Sequence, residues 1–177
     1  GIVTSAWLRL TPAPEARGVV VAFYGDVRSG CEAVSTILAS GIQPTALEYL
    51  DRGALASSLG SFPFESPADA GFAVLAEADG YPEEVARVVE ELEEAMAKEA
   101  LGKVLKITDR TETSSVWSWR DGVSIAVTAQ KGGKISEDVV VPGEKLAEAI
   151  EETVRIGERH GLEACSWGHA GDGNLHS

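Results

Sequence analysis

The last ten residues hold the densest set of chemically useful side chains in the chain. His169 and His176, two of its three histidines, lie seven positions apart and flank Asp172 and Asn174. Glycines between them favour tight turns, so both imidazoles could face one point and bind Zn²⁺ or a similar ion. Such a site needs a further ligand, and Asp172 could supply it, orient a histidine or cap the turn. A plain turn between two strands explains the same residues without a metal.

Two cations are candidates for binding an anionic substrate. Arg120 directly follows a Trp-Ser-Trp stretch, and a guanidinium packed by aromatic rings can bind a carboxylate with two hydrogen bonds. The alternative is a surface arginine on a helix. Lys134 lies at even spacing from Asp138, so both would share one face of a strand. There Lys134 could meet a substrate anion, or it could be a solvated residue at the strand start.

These side chains require a scaffold, and the order of the elements predicts one. Apolar runs predict strands near residues 19–23, 44–50, 71–78 and 103–107, with helices after the first and third. This order indicates an α+β fold, a ferredoxin-like antiparallel sheet with helices packed on one face. Further helix and strand elements follow, at residues 109–121, 135–141, about 143–160 and 162–167.

The beginning of the chain predicts a domain boundary. Residues 1–10 are β-branched and aromatic enough for a strand, and Pro12 and Pro14 then favour an extended linker. A strand without an evident partner indicates that residues 1–14 close a preceding domain, with residues 15–177 forming the domain of interest.

Composition limits the class of protein. The chain has 177 residues with 28 acidic and 15 basic side chains, a net charge of −13. This charge would repel phosphates and argues against nucleic-acid binding. Two cysteines do not make a disulfide framework. No apolar run reaches the roughly 20 residues that span a bilayer.

The ending Gly-His-Ala-Gly-Asp-Gly-Asn-Leu-His, residues 168–176, resembles the signature of the C-terminal (cap) domain of FAD-linked oxidases of the vanillyl-alcohol-oxidase type. The likeness is to the branch that includes the flavin subunit of glycolate oxidase together with D-lactate dehydrogenase and D-2-hydroxyglutarate dehydrogenase. Residues 136–142, followed by an amphipathic helix, are similar to the same family. Residues 1–10 resemble the closing strand of its FAD-binding domain.

The resemblance implies oxidation of a 2-hydroxy acid, of glycolate or D-lactate type, to the 2-keto acid by hydride transfer from C2 to FAD. It implies that His169 and His176 are catalytic and bind a divalent metal, often zinc, with a third ligand in a downstream glutamate motif. Arg120 and Asn174 are implied as substrate-binding residues. The substrate lysine of the family corresponds either to Lys134 or to the position held here by Ser136. FAD would be bound mainly by the preceding domain, so no cofactor-binding residue is expected here, and we expect the chain alone to be inactive.

The partners expected on the same basis are a small 2-hydroxy acid, an electron-acceptor subunit and a second copy of the chain. A cytoplasmic location is expected, with peripheral contact to the inner membrane through partners as a further option. Two non-catalytic functions compete with this interpretation, a ferredoxin-like ligand-binding module and an oligomerisation module.

Overall fold

The structure is a computed structural model that describes all 177 residues. One antiparallel sheet of seven strands has the order β4-β1-β3-β2-β6-β7-β5. The strands are β1 Ala16–Tyr24, β2 Ala46–Asp51, β3 Phe72–Gly80, β4 Leu105–Ile107, β5 Asp138–Val140, β6 Trp167–His169 and β7 Asn174–His176. The first four strands, ordered β4-β1-β3-β2, form the predicted ferredoxin-like unit, and the last three extend its β2 edge.

Five α-helices cover both faces of this sheet. They are α1 Val27–Ser40, α2 Arg52–Ser58, α3 Pro82–Met96, α4 Arg110–Lys131 and α5 Leu146–Arg159. Helices α1, α3 and α5 bury Ile37, Leu92 and Ile150 in one apolar cluster. Helices α2 and α4 bury their apolar residues in a second cluster, on the opposite face. None of the helices is long and apolar enough to cross a bilayer.

Local sequence signals explain where α4, the helix that carries Arg120, begins and ends. The Asp109 side chain accepts hydrogen bonds from the backbone N–H groups of Thr111 and Glu112, which caps the first turn. Gly132 ends the helix with φ 75°, a left-handed conformation that favours glycine. The helix is 22 residues long, so it extends beyond the predicted residues 109–121, and Val123 and Val127 of the additional turns share an apolar cluster with Trp167 of β6.

The predicted fold class is confirmed, and the structure adds a second helical layer to it. Strands β1 and β3 are almost wholly buried, and near-continuous apolar runs such as Val19–Phe23 are typical of strands covered on both faces. The ferredoxin-like pattern accounts for α1 and α3 on one face. Helices α2 and α4 cover the other.

Three predicted elements differ from the structure. The strand predicted over 162–167 is wrong except at Trp167, and the strand predicted over 135–141 shortens to Asp138–Val140. Residues 1–14 form no helix or strand. In this segment the large apolar side chains are all exposed: Ile2, Val3, Trp7, Leu8 and Leu10. Its assignment to a neighbouring domain stays a prediction.

Candidate functional site

The glycine-rich ending is a hairpin, and the hairpin brings the two histidines together. Trp167 pairs with His176 and His169 pairs with Asn174, across a turn at residues 170–173. Opposed residues, and residues two apart, point to the same face of an antiparallel sheet. The rings of His169 and His176 therefore lie side by side, with centroids 5.3 Å apart at 83°. The turn interpretation and the convergence of the imidazoles are both right.

Glycine is required at two points of this hairpin. Gly173 has φ 73°, and a Cβ there would collide with the carbonyl oxygen of Val141. A Cβ on Gly168 would collide with the carbonyl oxygen of Asn174. The glycines let strands β5, β6 and β7 approach closely, which fixes the positions of the histidines between them.

A carboxylate lies close to Nδ1 of each imidazole, and the contact at His169 is a hydrogen bond. His169 Nδ1 lies 2.6 Å from Glu48 Oε1, and His176 Nδ1 lies 2.5 Å from Asp138 Oδ1. The first contact follows from the register, since Glu48 is directly opposite His169. The Nε2 atom of each ring has no hydrogen-bond partner within the chain. A carboxylate on one ring nitrogen orients a histidine for work at the other nitrogen.

Arg120 contacts the same carboxylate as His169, that of Glu48, and it is buried. The interpretation as a surface arginine is therefore wrong. Its Nε and Nη2 atoms donate to Glu48 Oε2 over 2.9 and 2.5 Å. The remaining nitrogen, Nη1, makes no hydrogen bond in the chain and is not fully enclosed. Arg120 is thus anchored through two nitrogens while the third can bind an anion.

Lys134 is exposed and lies beside the ring of Trp167, which precedes His169 on β6. Its Nζ atom donates to Ser124 Oγ over 2.6 Å and stands 4.6 Å from the centroid of the Trp167 ring. That ring in turn contacts His176, with centroids 6.2 Å apart. Because β5 begins only at Asp138, the prediction that Lys134 shares a strand face with Asp138 is wrong. The lysine reaches the site from the loop after α4.

Asn174 carries the one buried side-chain polar atom of the chain without a hydrogen-bond partner, Oδ1. A buried acceptor left unpaired costs about 1–3 kcal/mol, so a ligand donor that reached it would be favoured. Asp172 caps the turn instead of facing the histidines, since its Oδ1 accepts from Asn174 N over 3.1 Å. Of its three suggested roles, capping is the one observed.

The two histidines could supply part of the ligand set of a divalent metal ion. His169 and His176 offer two imidazoles with Nε2 free and a carboxylate close to Nδ1, which fits two positions of a zinc shell. No group of three or more His, Cys, Asp or Glu side chains is arranged to hold a metal ion. The chain therefore provides two fitting ligands and no complete shell.

Sequence reasoning missed Glu48, which contacts both Arg120 and His169. Its side chain is 6% exposed, in a strand whose sequence is Ala-Leu-Glu-Tyr-Leu-Asp. A lone glutamate within a short apolar strand was the available signal, because a buried charge needs a partner. Glu77 in β3 gives the same signal, and Trp117 Nε1 donates to it. Burial is the main cause that raises the pKa of Glu77.

Comparison with known proteins identifies the family. The profile for the C-terminal domain of FAD linked oxidases matches residues 13–177. The chain therefore belongs to this family, and the resemblance found in its ending is confirmed.

Two curated relatives agree with that assignment. The chain is 32% identical over 176 residues to glycolate oxidase subunit GlcD of Bacillus subtilis, covering 99% of the chain and 37% of that protein. It is 28% identical over 183 residues to D-lactate dehydrogenase of Anaerostipes hadrus, covering 99% of the chain and 38% of that protein. The chain thus spans less than two fifths of each relative.

Solved structures support the fold. The 4-ethylphenol oxidase from Gulosibacter chungangensis, in its isoeugenol complex, superposes with a TM-score of 0.64 at 16% sequence identity. The match covers 96% of this chain and 40% of that chain. At this level of identity the likeness shows a shared fold and nothing about the substrate.

Proposed function

We propose that this chain forms the substrate side of an FAD-dependent oxidoreductase that converts a 2-hydroxy acid of glycolate or D-lactate type to the 2-keto acid. The observation that carries the proposal is the Arg120 guanidinium, which shares the Glu48 carboxylate with His169 and has one nitrogen free, with the His176 ring next to that of His169. A 2-hydroxy acid has a carboxylate next to the carbon that carries its hydroxyl, so it needs a cation and a proton acceptor close together.

The side chains have complementary tasks in this proposal. Arg120 Nη1 binds the substrate carboxylate, and Lys134 adds positive charge beside Trp167. The Nε2 atom of His169 or His176 accepts the hydroxyl proton. Asn174 Nδ2 donates to the oxygen of the same hydroxyl, which orients it.

Oxidation removes the hydroxyl proton and a hydride from C2, so the electron pair requires an acceptor. When FAD is bound, it supplies that acceptor. The proton leaves to the imidazole and the C2–O bond becomes a carbonyl, which balances the reaction. Alternatively, a divalent cation held by the Nε2 atoms of His169 and His176 would occupy both lone pairs and lower the pKa of the substrate hydroxyl, and the proton would then pass to a base other than these two histidines. A third ligand would have to complete that shell.

The wider context is also proposed. Residues 1–14 would be the last strand and linker of an FAD-binding domain, and residues 15–177 the substrate domain. An electron-acceptor subunit, self-association, a cytoplasmic location and contact with the inner membrane through partners belong to the same proposal. The family assignment and the length of the relatives support the domain division.

The test is reduction of flavin by substrate in the protein encoded by the whole reading frame that contains this chain. Glycolate, D-lactate and D-2-hydroxyglutarate would be mixed anaerobically with that protein, and the loss of flavin absorbance followed. We expect at least one of them to bleach the flavin, and Arg120→Lys to slow bleaching about 100-fold, because lysine cannot reproduce the anchored fork.

The matched control is Arg87→Lys, since Arg87 is exposed and pairs with Glu91 on α3. Its rate should equal that of the wild type. The 177-residue chain given FAD and a dye acceptor should show no turnover. Equal rates for Arg120→Lys and wild type would contradict the assigned role, and no bleaching by any 2-hydroxy acid would favour a non-catalytic module.

A further inference from the structure

We propose that Glu48 is a positioning residue: its buried carboxylate fixes the proton of His169 on Nδ1 while it anchors Arg120, so that the free Nε2 of the histidine and the free Nη1 of the arginine are presented to one ligand. The consequence for catalysis rests on the proposed function. The positioning itself does not.

The two oxygens of Glu48 have separate partners. Oε2 accepts from Nε and Nη2 of Arg120, and Oε1 faces His169 Nδ1 at 2.6 Å. A carboxylate beside a guanidinium offers only acceptors. The hydrogen on the His169 contact must therefore come from the ring, which puts the proton on Nδ1 and leaves the lone pair on Nε2.

Burial makes this arrangement difficult to replace. The Glu48 side chain is 6% exposed, whereas the His169 side chain is 47% exposed. Water therefore has little access to the carboxylate, while the imidazole reaches solvent. His176 is different, because its partner Asp138 is 70% exposed and water can take over the role of that carboxylate. Glu48 is thus the stronger determinant of the two.

The sheet and α4 place Glu48 between its partners. The pairing of β2 with β6 sets Glu48 opposite His169. Arg120 belongs to the buried stripe of α4 with Val116, Val123 and Val127, so it faces the sheet. Both partners converge on one side chain from elements that are 72 and 121 positions away in sequence.

Substitution by glutamine gives a specific expectation. A glutamine side chain has one acceptor oxygen and one NH₂ donor in place of two acceptors. Arg120 can only donate, so the amide oxygen must turn to it and the NH₂ group to His169 Nδ1. Nδ1 of the imidazole must then accept a hydrogen bond from this NH₂ group, so the ring proton moves to Nε2. Glu48→Gln therefore removes the lone pair from Nε2 without changing the size of the side chain.

The tautomer of His169 can be read by long-range ¹⁵N–¹H correlation on the ¹⁵N-labelled 177-residue chain, at about pH 8, where free imidazole is neutral. The wild-type chain should carry the proton on Nδ1 and Glu48→Gln should carry it on Nε2. The matched control is Glu77→Gln. Glu77 is 5% exposed, as Glu48 is, lies on the same sheet face and accepts from Trp117, which an amide oxygen can also do. His169 in this variant should keep the wild-type tautomer.

Three results would overturn the inference: a wild-type His169 protonated on Nε2, a Glu48→Gln variant that keeps the proton on Nδ1, or a switch in Glu77→Gln as well. The tautomer of His169 in the wild-type chain can be measured even if Glu48→Gln does not fold, so the inference is still tested in that case. In the whole flavoprotein, Glu48→Gln should slow flavin reduction about 10- to 100-fold. A tautomer switch with an unchanged rate would uphold the positioning by Glu48 and remove His169 from the proposed function.

Discussion

Strands β1 and β3 are nine residues long and almost fully buried, whereas β5, β6 and β7 have three residues each. The central strands carry mainly Val, Ala, Leu and Phe. The outer strands carry His169, Asn174, His176 and Asp138, all on one face. The two regions form one continuous sheet, but only the central region is closed on both faces by apolar helices.

The difference shows how one sheet can serve stability and chemistry together. Apolar burial in the centre stabilises the fold, by roughly 25 cal/mol per Å² removed from water. The outer hairpin tolerates polar and unpaired atoms, such as Asn174 Oδ1, because the centre holds its position. We therefore expect substitutions in the centre to change stability, and substitutions in the outer strands to change ligand binding.

The largest expected effect on stability is at Phe72. This ring is fully buried and stacks on Tyr49, with centroids 5.5 Å apart, and helix α1 packs against it through Gly30. Phe72→Ala should lower the free energy of unfolding by about 3–5 kcal/mol, because it leaves a cavity. Urea unfolding measures this change.

The control lies in the outer region. Val140 on β5 is 68% exposed, so Val140→Ala should change the free energy of unfolding by no more than about 0.5 kcal/mol. Similar losses for the two variants would mean that the centre and the outer strands contribute equally, and the division would be wrong.

A smaller effect is expected at Asp51, where the two regions join. Its carboxylate accepts from Ala54 N at the start of α2 and from Ser166 N just before β6, over 2.9 and 2.7 Å. Burial raises the pKa of Asp51 to about 6 from the ordinary 3.8. The folded state therefore holds this proton more tightly than the unfolded state.

The sign of the pH dependence follows. The contribution of Asp51 is most favourable below about pH 4 and is lost as the pH rises through about 6, by up to roughly 3 kcal/mol. The free energy of unfolding of the wild type, relative to that of Asp51→Asn, should thus decrease as the pH rises from about 4 to about 6. Urea unfolding of both proteins across that range measures the difference, and a difference that stays flat would show that Asp51 titrates normally.

The sequence predicted the centre of the fold well because its signals are local. The run Val19–Phe23 indicates β1, and α1 begins at Asp26, whose side chain accepts from Ser29 N, and ends at Gly41 with φ 80°. The order of elements is specific for a ferredoxin-like sheet. The outer strands were predicted poorly. Three-residue strands such as β6 have too few residues to show a period, and their pairing with β2 is set by contacts more than 100 positions apart in sequence.

The site was predicted in part for the same reason. His169, Asn174 and His176 lie within one local motif, and Arg120 and Lys134 were candidates from their sequence neighbours before the resemblance was considered. Glu48 lies in a strand far from both of its partners, and only the sheet register brings it to His169. The burial of Arg120 did have a local signal, since it falls in the helical stripe with Val116, Val123 and Val127.

Mapping D-lactate onto the ¹⁵N-labelled 177-residue chain tests whether the outer half of this sheet face binds a 2-hydroxy acid. Backbone amide shifts would be recorded with D-lactate and, for comparison, with propionate, which lacks the hydroxyl. We expect D-lactate to shift the amides of Glu48, Arg120, 167–169 and 174–176 more than propionate does. Shifts confined to the groove between α1 and α3, lined by Ser40, Ile42 and Arg87, or equal shifts with both acids, would contradict it.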